Sequence, residues 1–97
     1  EYLIGNTLFD SNISTVTYNG VSHTLTARQT DILLLLSQNM GKMVEREQIL
    51  RIVWGDDSNA NSLALNVQIT YLRRILEDDA SIAIVSLKKK GYILQTK

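Results

Sequence analysis

Cysteine is absent from this chain, which excludes disulfides and thiolate metal sites and is compatible with a reducing compartment. The single histidine, His23, rules out His-rich zinc sites. Proline is also absent and glycine numbers only five, so turns have to come from Asn, Asp, Ser and those few glycines. Neither charge sign prevails. Lysine plus arginine and aspartate plus glutamate stand at ten each, so a nucleic-acid role would have to rest on where charge is placed rather than on its total. The longest apolar run, Ile32 to Leu36, falls far short of the ~20 residues that span a bilayer. No signal-peptide pattern is visible, and the abrupt opening at Glu1-Tyr2 reads as that of a fragment. Catalytic signatures are missing as well: there is no glycine-rich phosphate loop, no Ser-His-Asp spacing and no HExxH. The paired carboxylates Asp56-Asp57 and Asp78-Asp79 fall in expected loops with no apolar pocket to shift them. An enzyme is not expected, nor a cofactor or metal.

What is present reads as one domain over residues 1–97, since an apolar fraction of 44% argues against disorder and the length leaves no room for a second core. Tyr2-Leu3-Ile4 and Thr7-Leu8-Phe9 have strand character, interrupted by Gly5-Asn6. Val16, Tyr18, Val21 and Leu25 follow among threonines and serines, with Asn19-Gly20 as a type I′ hairpin turn. An antiparallel sheet of three or four strands is the expectation. At Thr26 the pattern becomes helical: Thr26-Ala27-Arg28-Gln29 is a capping box, followed by the leucine run of a largely buried helix that ends near Gly41. A short second helix is expected from about Arg46 to Trp54, with Ile49, Leu50, Val53 and Trp54 on one face. Arg46 and Glu47 open it and read as surface charges. Gly55 to Asn61 is polar or small throughout and reads as a loop.

The third helix, about residues 62–77, is the informative one. Leu65, Ile69, Leu72 and Leu76 form a stripe that has to face the core. The other side carries Leu63, Val67, Thr70, Tyr71 and Arg74, with Asn66 and Arg73 at its margin, a mixture that reads as a contact surface. The chain closes with an alternating hairpin over residues 82–96 whose turn is Lys88-Lys89-Lys90-Gly91. Three adjacent lysines on a protrusion suit either plain solvation or attraction to phosphate. Sheet, three helices and a basic hairpin together describe an α+β winged helix-turn-helix.

Several motifs add to this reading. Leu25-Thr26 with Gln29 and the leucine run, Val44-Glu45-Arg46-Glu47-Gln48-Ile49-Leu50, Val53-Trp54-Gly55, the segment Asn66 to Arg74, and Gly91-Tyr92 follow one another in a specific order and spacing. In these the chain resembles the C-terminal DNA-binding domains of bacterial response regulators of the OmpR/PhoB type, over nearly its whole length. The departures from the family pattern fall mainly on reading positions: Leu63, Ala64, Asn66 and Tyr71 stand where arginine, threonine or serine, aspartate and arginine are usual. At the wing Lys88 stands for arginine and Lys89 for glycine, and Gln29 replaces a glutamate in the capping box.

The resemblance implies a third helix in the major groove of double-stranded DNA, with the hairpin wing at the adjacent minor groove. Carried over by position, Asn66, Val67, Tyr71 and Arg73 would face the groove. Trp54, Gln68, Thr70, Ser86 and Tyr92 would meet phosphate, and Lys88 would enter the minor groove with Lys89 and Lys90 beside it. By side-chain chemistry, Asn66 suits adenine, Val67 the thymine methyl, and Arg73 or Arg74 guanine or phosphate. The resemblance further implies direct-repeat half-sites, an RNA polymerase contact through Gly55, Asp56, Asp57, Ser58, Asn59, Ala60 and Asn61, and a sensor histidine kinase acting through a receiver domain outside these residues. A monomeric isolated domain in the bacterial cytoplasm is the corresponding expectation. Two alternatives stay open: a winged-helix module that binds a protein, and the cytoplasmic domain of a membrane-anchored activator. His23 reads as a surface residue without a role.

Overall fold

The computed structural model describes all 97 residues. Four short strands, β1 (Tyr2–Ile4), β2 (Thr7–Asp10), β3 (Thr15–Tyr18) and β4 (Val21–Thr24), form an antiparallel sheet in chain order. Alternation sends Ile4, Phe9 and Val16 into the core, while Leu3 and Leu8 pair on the solvent side. Asn19 and Gly20 both have positive φ (51° and 80°), as a type I′ turn between β3 and β4 requires.

Helix α1 (Ala27–Gln38) begins with the expected box: Thr26 Oγ1 accepts from the Gln29 amide at 3.2 Å, and Gln29 Oε1 accepts from the Thr26 amide at 3.0 Å. Ile32, Leu33 and Leu36 are fully buried, whereas Leu34 and Leu35 lie half-buried at the core's edge. Helix α2 (Arg46–Trp54) buries Ile49 and Leu50, and α3 (Asn59–Leu76) buries the stripe Leu65, Ile69, Leu72 and Leu76. No helix is long and apolar enough to cross a membrane.

The hairpin is β6 (Ile82–Leu87) and β7 (Gly91–Thr96), joined by the three lysines. A two-residue strand, β5 (Val44–Glu45), pairs with β7 and completes a three-stranded sheet in the order β5-β7-β6. Gly91 makes this pairing sterically feasible, because a Cβ there would lie 2.2 Å from the Val44 carbonyl oxygen. The wing root is thereby fastened to the segment that leads into α2.

Two expectations need correction. Residues 55–61 are not all loop: α3 starts at Asn59 and takes in Ala60 and Asn61, leaving Gly55 to Ser58 as the connection. The extra turn is held from outside the helix, since Ser58 Oγ accepts from the Asn61 amide and Asp56 Oδ1 accepts from Asn61 Nδ2 at 2.7 Å. Built from Asn59, Ala60, Asn61 and Ser62, with no large apolar side chain, it shows no apolar periodicity. Asp79, in turn, is not a solvated loop carboxylate but is only 2% exposed. Its oxygens accept from the Asn6 amide, Thr7 Oγ1 and the amide and hydroxyl of Ser81, joining the first sheet to the start of the hairpin.

Candidate nucleic-acid interface

The outward face of α3 carries Leu63, Val67 and Tyr71, which are 67%, 49% and 46% exposed at a spacing of one helical turn. Thr70 and Arg74 are exposed beside them, and Asn66 is exposed at the margin toward the wing. Exposing three large apolar side chains in a row is unfavourable for a free helix and marks a surface built to contact something.

Between α3 and the wing lies an open groove of about 290 Å³. Asn66, Ser86, the three lysines and Tyr92 all border it, so the third helix and the basic turn share one concavity. The only ion pairs are exposed ones from Arg51, to Glu47 at 3.9 Å and Asp57 at 3.3 Å, which leaves Arg74 and Lys88–Lys90 unpaired. An adjoining hollow brings Glu45, Glu47 and Asp57 near Lys89 and Lys90 but not Lys88. Positive potential at the tip is therefore least offset at Lys88.

Arg46, expected as a surface charge, is the hub of this site. Its guanidinium donates to Ser62 Oγ and to the Ser62 carbonyl, to Tyr92 OH at 2.9 Å and to Asn66 Oδ1 at 2.7 Å. Its backbone amide donates to the Lys90 carbonyl at 2.8 Å. One residue thus ties the start of α2 to α3 and to the wing. Its position was a signal in itself: a cation at the first residue of a helix opposes the macrodipole, and needs another reason to be there.

Other expected contacts are engaged within the protein. Arg73 donates twice to the Ile84 carbonyl and at 2.7 Å to Ser86 Oγ, so its fork lies along β6. Tyr92 is buried, with its hydroxyl directed at Asn66 and Arg46. Gln68 is half-buried. Trp54 packs partly into the core and does not border the groove; Arg28 lies 4.7 Å over its ring and donates to the Val53 carbonyl. At the α2–α3 connection the Ser58 amide and hydroxyl, followed by Asn61, hold the Asp56 carboxylate below its ordinary pKa. No three His, Cys, Asp or Glu side chains are grouped so as to hold a metal ion.

Residues 20–94 match the protein family described as "Transcriptional regulatory protein, C terminal". The chain belongs to that family. Over 95 residues it is 34% identical to the transcriptional regulatory protein RprY of Bacteroides fragilis, covering 98% of this chain and 40% of that protein. Among solved structures it is similar to the DNA-binding domain of E. coli CadC, at 28% identity and a TM-score of 0.83, covering 97% of this chain and 90% of that one. The response regulator DrrB of Thermotoga maritima, an OmpR/PhoB homologue, is 29% identical with a TM-score of 0.80, covering 97% and 43%. The chain spans about two fifths of the length of the curated relatives it matches. As a transcriptional-regulator C-terminal domain of the OmpR/PhoB type it is a winged helix-turn-helix output module, not an enzyme.

Proposed function

We propose that this domain binds double-stranded DNA sequence-specifically, with α3 in the major groove and the β6–β7 wing at the adjacent minor groove. The observation that carries this reading is the shared groove, which sets the exposed α3 face beside an unpaired triple-lysine turn. Phosphates contribute most of the affinity of such modules and base edges the specificity, and the two halves of this surface divide in that way. Thr70, Arg74 and the lysines would grip backbone, whereas Asn66, Val67 and Tyr71 would read bases. Gln68, Trp54, Ser86 and Tyr92 act at the periphery, and in Tyr92 and Arg73 the contribution is to hold the reading surface in place.

In the full-length protein the domain would serve as the output of a regulator controlled by phosphorylation, through a receiver domain and its sensor histidine kinase, in the bacterial cytoplasm. The connection Gly55 to Ser58, with the first turn of α3, is the surface offered to RNA polymerase. Selection of bound sequences from a random duplex pool tests the central reading. Enrichment of one motif, lost on Val67→Asp, is the expected result. Failure to enrich any motif would favour a protein partner for the same face.

A further inference from the structure

Arg46 determines which half of the Asn66 amide is left for DNA. Arginine and the Tyr92 hydroxyl both donate to it, at 2.7 and 3.3 Å, so the atom turned toward them has to be the oxygen. What remains for a groove is the Asn66 amino group, a donor without its acceptor. Arg46 is itself fixed by Ser62 and by its backbone bond to the wing, so this orientation is set before any ligand arrives.

The rest of the α3 face narrows the choice of base further. Adenine offers a donor and an acceptor in the major groove, and a matching amide has to supply both. Cytosine offers a donor and calls for a carboxylate, but the 18 residues of α3 contain no Asp or Glu. Guanine also offers acceptors, but its best reader is a guanidinium fork: the Arg73 fork is bound to Ile84 and Ser86, Arg74 is assigned to phosphate in the reading above, and guanine has no methyl group to meet the exposed apolar side chains. Thymine offers an O4 acceptor and a methyl group, which match the Asn66 amino group and the exposed apolar side chains of Leu63 and Val67.

Building on the DNA reading above, we propose that Arg46 is a specificity-positioning residue that sets Asn66 as a donor-only reader, and that the α3 face selects thymine through O4 and the 5-methyl group. The test uses the duplex enriched by selection with the unaltered domain. Each thymine of a half-site is replaced in turn by deoxyuridine, which keeps O4 and removes only the methyl. The expected loss is about three- to tenfold in affinity at one or more positions. A second arm repeats the selection with Arg46→Met, which keeps the aliphatic stem but removes the charged donor, leaving the Asn66 oxygen only the longer 3.3 Å bond from Tyr92 and one lone pair for a base; folding is verified by its melting transition. Adenine should then be accepted at the position whose preference disappears in Asn66→Ala. Equal affinity for every deoxyuridine duplex, or adenine already preferred at the Asn66-dependent position by the unaltered domain, would overturn the proposal while leaving DNA binding intact. Failure to enrich any duplex would instead overturn the DNA reading itself.

Discussion

Lys89 sits at the wing tip with φ at 61°, in the left-handed region that glycine occupies without strain. Placing a residue with a Cβ there costs about 1 kcal/mol or somewhat more, and glycine's greater unfolded-state entropy returns part of that difference. Lys89→Gly should therefore stabilise the domain by about 0.5–1 kcal/mol in urea titration, yet weaken DNA binding by removing a charge. A variant that lost stability would show that the tip conformation is not strained. Asp79 presents the opposite case, a charge whose role is internal. Burial pushes its carboxyl upward, but hydrogen bonds from Ser81, Thr7 and Asn6 prevail and hold it below 3.8. With the folded value below the unfolded one, its contribution to stability is fully present above pH 3.8 and is lost as pH falls through the folded value. Asp79→Asn should lose about 1–3 kcal/mol at neutral pH, and its urea midpoint should fall less than that of the unaltered domain on acidification to about pH 3. Parallel losses in both proteins would remove Asp79 from the acid response.

At the scale of elements, the wing and α3 differ in what they offer a duplex. The wing presents point charges, which act on any sequence. Replacing Lys88 and Lys90 together by glutamine should weaken binding to specific and random duplexes alike, and reduce the slope of log affinity against log salt by about one to two. An unchanged slope would mean that the wing does not touch phosphate. The α2–α3 connection makes a separate case, because Asp56 holds the first turn of α3 while Asp57 meets only Arg51 in an exposed pair. Asp57→Ala should leave DNA binding intact and lower reconstituted transcription; unchanged transcription would reduce the connection to a linker. Elements set by local chemistry were legible in the sequence: the capping box at Thr26, the Asn19-Gly20 turn, and the stripe from Leu65 to Leu76. The first turn of α3 was not, since a solvated turn held by Ser58 and Asp56 has no periodicity to read. Strand β5 was missed because two residues become a strand only through their partner, β7. The Arg46 network joins residues 16 to 46 positions apart, and only the folded chain brings them together.

For the molecule as a whole, a net charge of zero means that no long-range attraction draws it to DNA, so affinity has to come from contacts made after arrival. In the proposed binding mode those contacts would come from one helix face and one hairpin tip on a body measuring 38 × 26 × 20 Å, a small area for a protein–DNA interface. A single domain on a single half-site should consequently bind weakly. Two domains placed head to tail on direct repeats would double the phosphate contacts and add whatever the neighbours gain from touching each other. The isolated domain should sediment as a monomer at micromolar concentration, and in gel-shift titration its affinity per half-site should be higher on a duplex with two direct repeats than on one with a single copy. Inverting one repeat while keeping its spacing should abolish that gain, because the two domains would then present different surfaces to each other. Equal affinity per site on all three duplexes would mean that each domain binds independently, and that any cooperativity of the full-length protein arises outside these residues.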